Sequence, residues 1–322
     1  MNVSHRGDNL QGGTFIVTGG AGFIGSRLVR RLLEKGCKVI VIDNFHTGSI
    51  SNLNEVLDKV KIVEGRSRKI SELKEEVSGV FHLGIYSSSP MYRKNPRLVS
   101  EIVEDAIAIL EYCKEAGCPL VYASTSSLYN GNPLPYREDM PVFVTDYYTE
   151  ARYYLERLSE LYRNMHGVRS TGLRLFSVYG ENEIPKGKYA NMVSQFIWYM
   201  LKGEAPVIYG DGSQTRDFIY VEDVVDAFLV SMHSEKDGIF NVGTGIETSF
   251  NQVFNRIKEV LGSGLEPKYV PCPIKNYVYR TKADTTKAET QLGFKARTSL
   301  EDGIRKLIPY YKEKIDKLPL GE

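Results

Sequence analysis

Several absences narrow what this chain can be. Its 322 residues hold only four cysteines, Cys37, Cys113, Cys118 and Cys272. They show neither CxxC spacing nor the density of a disulfide scaffold, so reduced, structural thiols are expected. The five histidines, His5, His46, His82, His166 and His233, have no metal-ligand spacing, and no metal site is expected. No apolar run approaches the ~18 residues needed to cross a bilayer, and the N-terminal residues are polar rather than signal-like, which points to the cytoplasm. An excess of one charge is missing too. With 41 basic and 40 acidic side chains the net charge is +1, so no global field invites nucleic acid or an anionic membrane. What remains is 42% hydrophobic and 25% charged, an ordinary globular composition whose length suits one large domain and a smaller one. Met1 to Gly13 is expected to be a loose lead-in.

The informative stretch is Gly19-Gly-Ala-Gly-Phe-Ile-Gly25. It follows an apolar run, Thr14-Phe-Ile-Val-Thr-Gly, that reads as a strand, and it opens a periodic apolar segment, Phe23 to Leu33, that reads as a helix. A strand turning abruptly into a helix leaves unpaired N–H groups at the helix start. These groups, with the helix dipole, favour an anionic phosphate. Glycines let the chain turn, let a pyrophosphate approach, and let helix pack on strand. A second strand, Lys38-Val-Ile-Val-Ile-Asp43, ends in an acid 18 positions after Gly25, where a carboxylate binds a ribose diol. The pattern fits NAD better than NADP.

Strands and helices then alternate. Val60–Glu64, Gly79–Leu83, Pro119–Ser124 and Ser170–Phe176 read as strands, and Leu98–Ala116 and Asp146–His166 as long helices. Such alternation predicts an α/β fold, a Rossmann-type doubly wound parallel sheet with a smaller C-terminal substrate domain. The texture changes after Gly180, so residues 1–180 are assigned to the NAD-binding domain and 181–322 to the second, with 238–245 free to return to the first sheet. Within the second domain Tyr189–Leu201, Val221–Ser234, Ser249–Leu261, Asp284–Glu289 and Leu300–Lys312 read as helices, and Arg216–Tyr220 as a strand.

Ligands of a doubly wound sheet sit at the carboxyl ends of its strands. The fifth strand ends in Ser124-Thr-Ser-Ser-Leu-Tyr129, and the helix beginning near Asp146 carries Tyr147, Tyr148 and Arg152. A hydroxyl, a phenol and a fixed cation could thus meet one substrate alcohol. Tyr148 and Arg152, one turn apart, would equally suit a stacked helix pair.

With these residues the chain resembles the extended short-chain dehydrogenase/reductases. The resemblance is carried by Thr18-Gly-Gly-Ala-Gly-Phe-Ile-Gly25, Asp43, the Ser/Thr run before Tyr129, and Tyr148-x-x-x-Arg152 followed by Glu156. Later segments resemble the nucleotide-sugar epimerase/dehydratase branch: Leu173-Arg-Leu-Phe-Ser-Val-Tyr-Gly180, Gly210-Asp-Gly-Ser-Gln-Thr-Arg-Asp-Phe-Ile-Tyr-Val221, Phe240-Asn-Val-Gly-Thr-Gly245 and Ala283-Asp-Thr-Thr-Lys287. Together they span about residues 14–315.

The resemblance implies oxidation at a sugar carbon, usually C4, of a nucleoside-diphosphate sugar by NAD, and in a 4-epimerase return of the hydride to the other face. UDP-glucose and UDP-galactose are the implied substrates, with a C5-type epimerase, a decarboxylase, a reductase or a non-catalytic binding protein as alternatives. Tyr148 would be the base and Thr125 would align the hydroxyl. A phenol titrates near ~10, so the charge of Arg152 is needed to favour phenolate. Cofactor contacts are implied for Gly19, Gly22, Phe23, Ile24, Gly25, Asp43, Asn44, Phe45, Arg66, Leu83, Gly84, Tyr148 and Arg152. Substrate contacts are implied for Ser177, Asn191, Arg216, Tyr220 and Arg280, with Arg216 the guanidinium best suited to a diphosphate. The two long helices resemble those through which family members pair, which implies a homodimer.

Departures from the pattern are specific. Arg152 stands for the family's lysine, keeping the charge but not joining a proton relay. Arg66 stands for an aspartate that binds adenine, and its planar guanidinium could stack on the base instead. Gly84 and Ile85 replace two alanines, Ile102 replaces an asparagine, and Ser177 replaces another. Ser126-Ser127 follows Thr125 where sugar 4,6-dehydratases have Asp-Glu, so carboxylate-driven dehydration is disfavoured.

Overall fold

In a computed structural model of the chain, residues 10–273 and 277–319 are described; most of the predicted lead-in, residues 1–9, lies outside them. Strands and helices alternate from the start: β1 (Thr14–Thr18), α1 (Phe23–Glu34), β2 (Lys38–Asp43), β3 (Val60–Glu64), β4 (Gly79–His82), α2 (Ser89–Lys94), α3 (Leu98–Ala116), β5 (Leu120–Thr125), α4 (Tyr147–His166), β6 (Ser170–Leu175) and β7 (Ser177–Tyr179). The chain continues through α5 (Met192–Leu201), β8 (Val207–Tyr209), β9 (Thr215–Arg216), β10 (Phe218–Tyr220), α6 (Val221–His233), β11 (Gly238–Val242), β12 (Thr248–Ser249), α7 (Phe250–Leu261), β13 (Lys268–Val270) and α8 (Leu300–Lys312).

The main sheet has seven parallel strands in the order β11-β6-β5-β4-β1-β2-β3. Its strands are short apolar runs because both faces are covered, and the period of two sorts them. Phe15, Val17, Val39, Val41, Phe81 and Val121 pack with Leu28, Leu32 and Phe228 of α1 and α6. Ile16, Ile40, Ile42, Val80 and Tyr122 face the other way, onto Ile102, Ile109 and Leu155 of α3 and α4. A third core joins α5, α7 and α8 around Trp198, Phe196, Phe254, Ile304 and Tyr311. Strand order reverses beside β1, whose neighbours are β2 and β4, so a crevice opens there at the carboxyl ends. Both α6 and β11 come back to the main sheet from beyond residue 181.

Three elements differ from the sequence-based expectation by more than a single terminal residue. The helix expected from Tyr189 starts at Met192, because the Asn191 side chain accepts the Val193 N–H and caps it. The expected strand Arg216–Tyr220 is broken at Asp217, whose carboxylate collects backbone donors from other segments. Asp284 lies outside the expected helix, since its Oδ1 accepts the Thr286 N–H in a turn; the helical run instead ends with a π-type stretch, Ala288–Leu292. The cysteines are unpaired, with Cys37, Cys113 and Cys118 buried. Among the described residues no helix is long and apolar enough to cross a membrane.

Candidate functional site

The glycine turn is tight because backbone passes where side chains would stand. Gly19 has φ +69°, and a Cβ there would lie 2.6 Å from the Gly84 nitrogen; one at Gly25 would lie 2.0 Å from the Gly19 carbonyl oxygen. Gly22 caps helix α1 without a side chain, and the first turn holds no acid, leaving the opening N–H groups for an anion. Asp43 is buried where β2 ends: Oδ2 accepts the Ala21 N–H at 2.9 Å and Oδ1 the Phe45 N–H at 2.8 Å. Burial pushes its carboxyl up despite those two bonds. A bare glycine cradle and an adjacent fixed carboxylate fit the pyrophosphate and ribose of a dinucleotide.

A cavity of about 450 Å³ runs from this turn across the carboxyl ends of the sheet. It brings together most residues picked from the sequence: Gly19, Gly22, Phe23, Ile24, Gly25, Asp43, Asn44, Arg66, Leu83 and Gly84 toward β1–β3; Thr125, Tyr148 and Arg152 toward β5; Ser177, Asn191 and Arg216 from the C-terminal half. Three others lie off its wall. The Phe45 ring packs into the core beside the sheet, leaving only its N–H at the turn. Tyr220 is buried and donates to Glu181 Oε1 at 2.5 Å. Arg280 is 64% exposed and forks onto Glu247 at 2.9 and 2.8 Å. Arg66 is also not a loose stacking platform, since its Nη2 donates to the Glu101 carbonyl at 2.6 Å and to Asp105 at 3.2 Å.

Tyr148 owes its place to the cap of α4. Asp146 accepts the Thr149 N–H at 2.9 Å while Thr149 Oγ1 accepts the Asp146 N–H at 3.0 Å, closing a capping box that fixes the first turn. The Tyr148 ring packs edge-on to Tyr92 at 5.7 Å, and the Arg152 guanidinium carbon lies 5.1 Å from its centroid. Arg152 is buried, and its fork spans two carbonyls, Ala123 at 2.8 Å and Tyr86 at 3.1 Å, while Nε has no partner. Among the described residues no carboxylate pairs with Arg152, so its charge stays uncompensated beside the phenol. Thr125 ends β5, its Oγ1 accepting the Ser127 N–H at 3.2 Å.

His82 lies beneath this cation, fully buried with Nδ1 2.7 Å from Thr18 Oγ1. Burial, and then Arg152, push its pKa down to about 3. An unfolded imidazole titrates near ~6.5. Between these values the unfolded chain takes a proton that the folded one refuses, so this stability is complete above ~6.5 and is lost as pH falls toward 3. The melting temperature should decline with acid across that window, and less steeply in His82→Gln. Parallel profiles would assign the acid loss to other groups.

At the opposite wall Arg216 lies between two rings, 5.5 Å from the Phe250 centroid and 5.3 Å from that of Tyr277. Its own bonds go to the carbonyls of Thr215 at 2.7 Å and Tyr279 at 3.3 Å, and burial pushes its pKa down. It is a stacked cation without a carboxylate partner among the described residues.

Sequence reasoning missed two supports of this wall. Asp217, fully buried, accepts the N–H groups of Thr244 (2.8 Å), Gly245 (2.8 Å) and Ala283 (3.0 Å), joining three of the quoted motifs behind Arg216. The signal was an acid next to Arg216 inside an otherwise apolar run. Glu183, also fully buried, accepts the Asn191 N–H at 2.9 Å, the Ser194 hydroxyl at 2.6 Å and the Lys186 ammonium at 2.8 Å. Lys186 in turn lies 4.8 Å from the Phe23 ring at the cavity wall.

Comparison with known proteins accords with this geometry. Residues 15–243 match the profile of the NAD dependent epimerase/dehydratase family. A putative UDP-glucose 4-epimerase of Methanocaldococcus jannaschii is 37% identical over 303 residues, 92% of this chain and 98% of the relative. UDP-glucuronic acid decarboxylase 1 of Arabidopsis thaliana is 30% identical, covering 93% of this chain and 70% of the relative. The solved UDP-glucose 4-epimerase of Thermotoga maritima with UDP-glucose superimposes with a TM-score of 0.88 at 33% identity, covering 94% of this chain and 99% of that one.

Proposed function

The chain belongs to the NAD dependent epimerase/dehydratase family, and from that premise we propose that it epimerises a nucleoside-diphosphate sugar at C4, of the UDP-glucose/UDP-galactose type. The observation that carries this is the single cavity shared by the glycine turn, the Tyr148–Arg152 pair and the stacked Arg216. When bound there, NAD supplies the acceptor for a hydride leaving the sugar carbon and returns it afterwards. Tyr148 takes the C4 hydroxyl proton and gives it back, Thr125 aligns that hydroxyl, and the Arg152 guanidinium is fixed beside the phenol ring. Arg216 holds the diphosphate while the keto sugar turns over, with Ser177 and Asn191 as polar contacts. Ser126 and Ser127, both at the cavity wall, offer no carboxylate for dehydration. In this scheme residues 1–180 hold the cofactor and 181–322 the nucleotide sugar, apart from α6 and β11.

The test is a panel of UDP-, TDP- and GDP-sugars, including UDP-glucuronate, followed by NMR. UDP-glucose and UDP-galactose should converge on one mixture from either side. Carbon dioxide release from UDP-glucuronate without epimerisation would replace this activity with decarboxylation. Bound NAD with no turnover of any sugar would leave a binding protein.

We also propose a cytoplasmic homodimer. Tyr147, Tyr154, Leu158, Leu161 and Met165 recur every three, four or seven residues along α4, and Tyr147, Leu161 and Met165 are exposed, at 51%, 50% and 70%. Light scattering should give a dimer for the native chain and a monomer for a Leu161→Glu, Met165→Glu variant. A native monomer at micromolar concentration would remove the proposal.

A further inference from the structure

The adenosine half of the cofactor has a direction in this crevice. The glycine turn follows β1, Asp43 ends β2, and Tyr148, Thr125 and Arg152 stand on the β5 side. A dinucleotide with its ribose at Asp43 therefore extends its base past β2, toward β3. There the wall is made by Gly65, Arg66 and Ser67 after β3 and by Asp105 from α3.

The polar groups of this wall are mostly spent on one another. Ser67 Oγ donates to the Gly84 carbonyl at 3.2 Å, and the Tyr86 hydroxyl donates to Glu101 Oε2 at 2.9 Å. Arg66, a donor only, is drawn onto α3 by the carboxylates of Glu101 (3.6 Å), Glu104 (3.4 Å) and Asp105 (3.2 Å). Asp105 differs from its neighbours. It is 3% exposed, and both of its bonds, from Arg66 Nη2 at 3.2 Å and the Arg68 N–H at 3.1 Å, go to Oδ1. Among the described residues no donor reaches Oδ2. Oδ2 is not sealed off, and Asp105 lines the cavity, so a ligand that brings an N–H to this oxygen gives an otherwise desolvated carboxylate the donor the protein does not supply. Burial raises the Asp105 carboxyl against the pull of Arg66, as expected of an acid whose desolvation is only partly offset.

We propose that Asp105 accepts a hydrogen bond from the exocyclic amine of the cofactor's adenine, with the guanidinium of Arg66, pinned by the same carboxylate, as the flat side of the base pocket. The acid that recognises the amine thus comes from α3 rather than from the loop after β3, where Arg66 stands. The proposal rests on NAD being the cofactor.

The test compares NAD with nicotinamide hypoxanthine dinucleotide, in which a carbonyl replaces the amine, by calorimetric titration of the full chain freed of nucleotide. The native chain should prefer NAD by about tenfold or more, because the carbonyl sets an acceptor against an acceptor. Asp105→Asn, whose amide can donate to that carbonyl, should bring the two affinities within about threefold. Asp105→Ser serves as a second variant if the first does not fold, and should lose affinity for NAD while keeping that for the hypoxanthine analogue. Equal affinities in the native chain, or an undiminished preference in a folded variant, overturn the proposal. Binding of neither dinucleotide by the native chain would instead remove the cofactor site, and this assignment with it.

Discussion

Tyr148→Phe should lower turnover of the nucleotide sugar by about a thousandfold, within the range for losing a positioned general acid–base, while NAD affinity changes little. The ring survives the substitution, so its edge contact with Tyr92 and its place over Arg152 are kept, and only the oxygen goes. Single-turnover reduction of bound NAD by substrate, read at the nicotinamide absorbance, separates this from a binding defect. Retained reduction would take Tyr148 out of the proton path. Arg152→Lys is the companion change. A lysine cannot span the carbonyls of Ala123 and Tyr86 as the guanidinium does, so it frees one of them while restoring an amine able to exchange protons. A faster lysine variant would show that the arginine restrains the reaction.

The largest loss of stability is expected from Glu156→Ala. Glu156 accepts Arg174 Nε at 3.0 Å and Nη2 at 2.7 Å, and also the Ser124 hydroxyl at 2.5 Å, with both charged side chains 4% exposed. Arg174 lies 4.6 Å from the Tyr129 ring; burial alone would lower its pKa, but Glu156 holds it above the ordinary value. Removing the carboxylate leaves a buried cation without its partner, which costs about 3–5 kcal/mol. The melting temperature should fall by roughly 5–15 °C. Glu156→Gln, which keeps an acceptor, should lose less. A melting temperature within a degree of the native value would mean that water or a rearranged side chain takes over the charge. Because Ser124 precedes Thr125 and Glu156 lies on the helix of Tyr148, the Ser124–Glu156 hydrogen bond also ties together the strand and the helix that carry the two candidate reacting groups.

Glu156 illustrates how far the sequence could be read. Its place four residues after Arg152 belongs to the quoted pattern, and periodicity put it on α4, but nothing local announces that its partner is Arg174, in the following strand. The strands of the sheet were legible because a doubly covered parallel strand must be an unbroken apolar run. The glycine turn and Asp43 were legible because their spacing is set by one strand–turn–helix unit. Contacts between distant segments were not. Arg280 looked available until Glu247, 33 residues earlier in the chain, is seen to hold it. Tyr220 falls in a motif that reaches the cavity at Arg216 but has turned into the core four residues later. Asp105 carried no signal, being one of several acids on a helix, until the fold set it against Arg66.

Glu183 has a consequence for how tightly a substrate can bind. With Lys186, Asn191 and Ser194 all fastened to one buried carboxylate, the segment bordering the cavity between β7 and α5 is held in place by the protein's own bonds. Ordering a rotamer-rich side chain on association costs roughly 0.5–1.5 kcal/mol. A wall fastened in advance avoids that entropy loss, so contacts a substrate makes along this segment can appear in the affinity undiminished by loop closure.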